Sequence, residues 1–110
     1  MIKKIYKFGG ASVKDAEAVR NLADIVSQHK DEDILLVVSA MGKTTNMLEK
    51  VLANFREHDG KLGMEALQDV ISYHDGIIQD LFGDEANPAF GESIATLFIE
   101  LWRWACANPP

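Results

Sequence analysis

Residues 34–38, Ile-Leu-Leu-Val-Val, form an unbroken run of branched apolar side chains. A short run without polar alternation reads as a β-strand covered on both faces, the habit of parallel sheets whose crossovers pack on the sheet. A parallel strand needs a partner reached through a crossover. Residues 2–8, Ile-Lys-Lys-Ile-Tyr-Lys-Phe, supply it: they are β-branched, aromatic and lysine, and Gly9-Gly10 bounds them. The segment between reads as a helix. Ser12 is a good N-cap, Asp15 three residues on makes a weak capping box, and Val19, Leu22, Ala23 and Val26 share a face. This helix is expected to run to about His29-Lys30, where a lysine suits a helix C-terminus. Strand, helix and strand make a βαβ unit with a right-handed crossover.

After residue 45 the periodicity changes from sheet to helix. Thr44-Thr45-Asn46 starts a helix with Leu48, Val51, Leu52 and Phe55 inward, and Gly60 ends it. Asn46 with Glu49 has capping-box spacing, so Thr45 or Asn46 reads as the cap. A third helix is expected over 63–82, with Leu67, Val70, Ile71, Ile77, Ile78 and Leu81 as its stripe and Gly83 as its stop. Pro88 opens a fourth at the first helical position, where proline is tolerated. Phe90, Ile94, Leu97, Phe98, Leu101, Trp102 and Ala105 then recur on one face, and the chain closes on Asn108-Pro109-Pro110. The expected division is 1–45, the βαβ unit and its loops, and 46–107, a helical lobe. Two strands cannot form a sheet buried on both sides. Helices covering everything, a second copy, or a larger domain of which this is the front part would each resolve that. The last is the reading adopted, and Trp104, about 200° around its helix from Trp102, agrees with it.

Composition narrows the function. The 110 residues carry a net charge of −6, which lacks the positive field that nucleic-acid binding needs; the densest basic group, Lys3, Lys4 and Lys7, shares one short strand. Nucleic acid is not an expected partner. Cys106 is the single cysteine, so no intramolecular disulfide or cysteine metal cluster can form, and it reads as a small buried hydrophobe. No stretch has the length of a signal peptide core or a membrane span, so no membrane partner and a cytoplasmic location are expected.

Chemistry concentrates at two strand-to-helix corners, Lys7-Phe8-Gly9-Gly10-Ala11-Ser12 and Ser39-Ala40-Met41-Gly42-Lys43-Thr44-Thr45-Asn46. Ligands of open α/β sheets bind at the carboxyl ends of the strands, where both corners lie. Glycines let backbone N–H groups approach an anion, a helix start adds positive potential, and Lys7 adds a full charge. The first corner alone supports two readings equally, a phosphate site and a tight turn with a solvated lysine. At the second, Gly42-Lys43-Thr44 imitates the end of a P-loop, but the first glycine of that motif would fall at Val37, inside the strand. The first corner is no dinucleotide fingerprint either, since Ala11 and Lys14 stand where glycines are needed. Ser39, Thr44 and Thr45 remain as hydroxyls able to bind a polar substrate. His29, His58 and His74 show no ligand spacing, and His74 sits on an apolar stripe, where a satisfied core or interface histidine is the simpler role. No metal ligand set is expected.

Taken together, Lys-Phe-Gly-Gly-Ala-Ser-Val (7–13) and Val-Val-Ser-Ala-Met-Gly-Lys-Thr-Thr-Asn (37–46) resemble the opening of aspartate kinases, within the amino-acid kinase superfamily. Ala11 departs from the serine or threonine usual in the first motif. The resemblance implies the N-terminal part of a three-layer α/β/α catalytic domain, a βαβ unit followed by a helical lobe. It implies an enzyme that transfers the γ-phosphoryl of ATP, with Mg²⁺, to the β-carboxylate of L-aspartate, on the way to lysine, threonine and methionine. In that frame Lys7 balances charge on the phosphoryl group, Gly9, Gly10 and Gly42 line the phosphates, and Ser39 and Thr45 contact aspartate. The same resemblance implies partners: a C-terminal half of the catalytic domain, ACT regulatory domains, and a homo-oligomer. The 110 residues by themselves are then expected to be inactive. Two other readings are a glutamate-type kinase of the same superfamily and a non-catalytic helical module that self-associates.

Overall fold

The computed structural model describes residues 1–57, 60–85 and 88–107. His58 and the terminal Asn108-Pro109-Pro110 lie outside them. The chain is α/β and forms two compact units, Met1–Thr44 and Thr45–Pro110.

The first unit is the expected βαβ. Strand β1 (Lys4–Phe8) pairs in parallel with β2 (Ile34–Val38), Lys4 beside Ile34 and Phe8 beside Val38. Helix α1 (Ala16–Ser27) connects them. Alternation along β1 buries Phe8 and half-buries Tyr6, while Ile5 and Lys7 point to the opposite, open face. Leu35 and Val37 share that open face, and Ile5, Leu35 and Val37 are 66%, 43% and 45% exposed. The expectation that β2 is covered on both faces is therefore not met by these residues. Its unbroken apolar sequence is matched by a layer on one side only.

The helix boundaries differ from the sequence reading for local reasons. Residues Gly10–Val13 form a 3-10 turn, so Ser12 is not the cap. Asp15 is: its Oδ1 accepts the Ala18 N–H at 2.9 Å. At the other end α1 stops at Ser27, before His29-Lys30. The Gln28 N–H is shared between the Asp24 and Ile25 carbonyls, and the His29 N–H reaches back only to Val26, at 3.0 Å. This tightening releases His29 toward the sheet. There its ring meets Tyr6, centroids 5.1 Å apart, and its Nδ1 bonds Glu32 at 2.8 Å. Glu32 also pairs with Lys4 at 3.5 Å, so the basic start of β1 is met by the acidic turn before β2.

The second unit is helical: α2 (Thr44–Glu57, entering from the first unit), α3 (Gly60–Phe82), a 3-10 turn (Gly83–Glu85) and α4 (Pro88–Ala107). Gly60 begins α3 and Pro88 stands at the first position of α4, as its missing N–H allows. The core gathers Val51 of α2, Ala66, Leu67 and Val70 of α3, and Ala105 of α4, with Met47, Phe55, Ile71, Phe98, Leu101 and Trp102 packed around it. Helices α2 and α3 approach closely because Gly63 has no side chain; a Cβ there would stand 2.5 Å from the Phe55 ring. His74 is satisfied as a packed histidine, its Nδ1–H donating to the Val70 carbonyl at 2.8 Å beside the Phe98 ring. Cys106 is exposed, not buried as expected. Among the described residues no helix is long and apolar enough to cross a membrane.

Candidate functional site

The loops that follow β1 and β2 are joined by backbone hydrogen bonds. The Ser39 N–H donates to the Phe8 carbonyl at 2.9 Å, which extends the ladder one step past the strands. The Gly42 N–H donates to the Gly10 carbonyl at 3.0 Å, and the Ser12 N–H to that of Gly9 at 3.0 Å. Gly42 has a φ of 54°, a left-handed conformation that a side chain would strain. Gly10 is required for another reason: a Cβ built on it would collide with the Gly42 carbonyl oxygen and lie 3.5 Å from that of Ala40. The two corners are thus one structure at the carboxyl end of a parallel pair.

Gly9 differs from Gly10. A Cβ there would meet nothing within 4 Å, so the space before it is open. Lys7 and Ser39 are both exposed; Lys7 stands beside Val37 on the open face, and Ser39 follows the end of β2. Lys7, Gly9, Gly10, Ser39 and Gly42 therefore all belong to the joined ends of one βαβ unit. Thr45 is the second residue of α2, exposed, and belongs to the other compact unit.

Thr44 has a structural role in place of the ligand role its hydroxyl suggested. It is 7% exposed, its N–H donates to the Met41 carbonyl at 3.0 Å and its Oγ1 donates to the same oxygen. These bonds close the turn and start α2 at Thr44, which places Thr45 and Asn46 inside the first turn and removes the capping reading for both. The signal was available, since a threonine three residues after a turn carbonyl is a known local competitor for that acceptor. The Gly10–Gly42 contact was not available, because nothing in either motif specifies which glycine faces which loop.

Among the described residues no group of three or more His, Cys, Asp or Glu could hold a metal ion. Among the described residues the one perturbed carboxyl is Glu32, which lies just before β2, at the end of the sheet away from the corners. The His29 hydrogen bond is the largest cause that holds it below its ordinary value; loss of water opposes this, and the charges of Lys4 and His29 lower it further.

A parallel strand pair with two joined, glycine-bearing loops at its carboxyl end, and Lys7 one residue before the end of β1, stands where open α/β sheets take their ligands. The profile of the amino acid kinase family matches residues 3–100, and the chain belongs to that family. Within it, the relationship to aspartokinases is close. The chain is 48% identical over 46 residues to aspartokinase 2, chloroplastic, of Arabidopsis thaliana, a match covering 42% of this chain and 8% of that one. It is 40% identical over 65 residues to the aspartokinase of Bacillus sp. (strain MGA3), covering 57% and 16%. The bifunctional aspartokinase/homoserine dehydrogenase 2, chloroplastic, of Arabidopsis thaliana is 33% identical over 82 residues, covering 74% and 9%. The matched segment thus spans no more than 16% of the length of these relatives.

Proposed function

We propose that this chain forms the phosphoryl-transfer corner of an aspartate kinase. The observation that carries the reading is the joined pair of loops, with Gly9 open to solvent and Lys7 one residue short of the strand end. In the reaction a β-carboxylate oxygen of L-aspartate attacks the γ-phosphorus of ATP. The bond from that phosphorus to the bridging oxygen breaks, and ADP leaves with the electron pair. Charge spreads over the transferring oxygens, so what the protein supplies is position and fixed positive potential. Lys7 supplies the charge. Gly9 supplies an unobstructed backbone, and Gly10 sets its direction through the contact with Gly42. The Gly42 N–H is committed to Gly10, so Gly42 acts by shaping the loop beside the phosphates. Ser39 and Thr45 are assigned to aspartate by their motif positions. Mg²⁺ would arrive on the ATP phosphates, since no carboxylate cluster among the described residues fits one.

The test is a chimera in which this chain replaces the matching segment of the Bacillus aspartokinase, assayed by trapping the acyl phosphate with hydroxylamine. Aspartyl hydroxamate that depends on ATP and disappears with Lys7→Ala is the expected result. Product from glutamate in preference to aspartate would move the assignment to a glutamate-type kinase. A folded chimera as active with Lys7→Ala as without it would end the reading.

A further inference from the structure

Gly42-Lys43-Thr44 imitates the end of a P-loop without the glycine that would complete one, and the fold engages two of its three residues elsewhere. The Gly42 N–H is bonded to the Gly10 carbonyl, and Gly42 makes the left-handed turn. The Thr44 hydroxyl, which in a P-loop would face Mg²⁺, is bonded to the Met41 carbonyl and Thr44 is buried. Lys43 is what remains. It is exposed, and among the described residues its ammonium has no hydrogen-bond or ion-pair partner. Its backbone N–H has none either, although those of Gly42 and Thr44 on each side of it are bonded.

The charge around Lys43 is unbalanced in the same sense. Residues 7–15 and 39–46, which hold both corners, contain Lys7, Lys14 and Lys43 against Asp15 alone, in a chain whose net charge is −6. Asp15 is occupied in capping α1. Lys43 also stands directly before α2, where the helix dipole disfavours a cation, and the first turn of α2 has no acidic residue to offset it. The other end of the sheet is built differently: Lys4 meets Glu32 at 3.5 Å and the N-terminal ammonium meets Asp33 at 3.9 Å. No acid among the described residues meets Lys7 or Lys43 in this way. A lysine in such a place opposes the helix start, whereas an anion in front of it is attracted by both.

The order of groups along the joined loops indicates which part of an anion Lys43 meets. From Lys7 the backbone runs through Phe8 and Gly9 to Gly10, crosses by a hydrogen bond to Gly42 and reaches Lys43. Gly9, with open space before it, lies between the two lysines on this path. A linear polyanion, charged at several points along its length, matches that order.

We infer that Lys43 is a second cation of the nucleotide site and holds the phosphates that stay on ADP, while Lys7 faces the one that moves. The inference rests on the kinase reading for the identity of the polyanion. A contact with phosphates that are not transferred is made alike before and during the transfer, so its loss raises KM and spares kcat.

The test uses the Bacillus chimera carrying Lys43→Gln, Lys43→Arg or Lys7→Ala, with circular dichroism to show that each is folded. Calorimetric titration with ADP and with adenosine reads binding without turnover, and initial rates give KM and kcat. Lys43→Gln is expected to weaken ADP binding and to raise the KM for ATP by about tenfold. Adenosine binding, the KM for aspartate and kcat should stay as in the parent, and Lys43→Arg, which keeps the charge, should recover most of the affinity. The 110-residue chain titrated with inorganic tripolyphosphate gives the same comparison without the chimera, and Lys43→Gln should weaken binding there too. Equal affinity of the parent and folded Lys43→Gln for ADP or for tripolyphosphate overturns the inference, as does a loss of kcat at constant KM or a raised KM for aspartate. Should turnover in that event still depend on Lys7, the kinase reading stands and only the role of Lys43 falls. A chimera that binds ADP through Lys43 yet forms no acyl phosphate ends the kinase reading and leaves Lys43 as a polyphosphate-binding residue.

Discussion

Gly10 and Gly42, thirty-two residues apart in sequence, share one hydrogen bond and one steric limit. The Gly42 N–H donates to the Gly10 carbonyl at 3.0 Å, and the space a Gly10 side chain would need is filled by the Gly42 carbonyl. The loops that follow β1 and β2 are therefore tied to each other at this point. The neighbouring Gly9, with open space before it, can be varied independently.

These two glycines should respond oppositely to alanine. Gly10→Ala forces the loops apart and is expected to cost about 1–3 kcal/mol, the usual range for overpacking. Gly9→Ala meets nothing and should leave the urea midpoint unchanged within error, while weakening nucleotide binding if phosphate approaches that backbone. Urea unfolding of both variants, with a nucleotide titration, checks the contrast.

Lys7→Ala should separate function from stability. The side chain is exposed, so the unfolding midpoint should hold. In the chimera the loss of a charge aimed at the transferring group should lower kcat by about 10²–10³-fold. A drop in thermal stability matching the loss of activity would instead mark the lysine as structural.

The packing of α2 on α3 rests on Gly63 lying under the Phe55 ring. Gly63→Ala places a methyl 2.5 Å from ring carbons, and Phe55 must shift for it to fit. A loss of about 1–3 kcal/mol is expected. Phe55→Leu alone should also destabilise, yet the double variant should be more stable than the two single losses add up to, since the methyl then fills the space the ring leaves. A double-mutant cycle by urea unfolding measures that coupling.

Glu32 should contribute to stability only above the acid range. Its folded carboxyl titrates below the ordinary value of 4.5, chiefly through the His29 hydrogen bond. A depressed carboxylate stabilises fully above its unfolded pKa and loses that contribution as pH falls through the folded one. The difference in urea midpoint between the parent chain and Glu32→Gln should therefore be present at neutral pH, begin to shrink below about pH 4.5 and vanish at lower pH. Both partners are at the surface, so the difference is small and should shrink further in high salt.

The βαβ unit and the third and fourth helices were legible because periodicity and glycine placement agree there. The β2 run, Pro88 opening α4 and Gly83 beyond α3 all fell where sequence placed them. The failures lie where tertiary contacts overrule local preference. Ser12 is the more usual cap, yet the 3-10 turn after Gly9 passes that role to Asp15. Asn46 and Glu49 have capping-box spacing, yet Thr44, bonded to Met41, starts the helix two residues earlier. Cys106 has an apolar character that suits burial, but its position on α4 turns it outward. The resemblance rests on both corner loops, while the Gly10–Gly42 contact between them is a fact of three dimensions that neither motif states.

The open face of the sheet has a consequence for the lysine. Lys7 rises among Ile5, Leu35 and Val37, so any layer laid over that face encloses an ammonium in an apolar frame. Two unit charges 4 Å apart interact by about 1 kcal/mol in water and about 4 kcal/mol at an effective dielectric constant of 20. The covering layer would thus act as an amplifier: it adds no charge of its own, yet it would set how strongly this lysine attracts any anion brought to it.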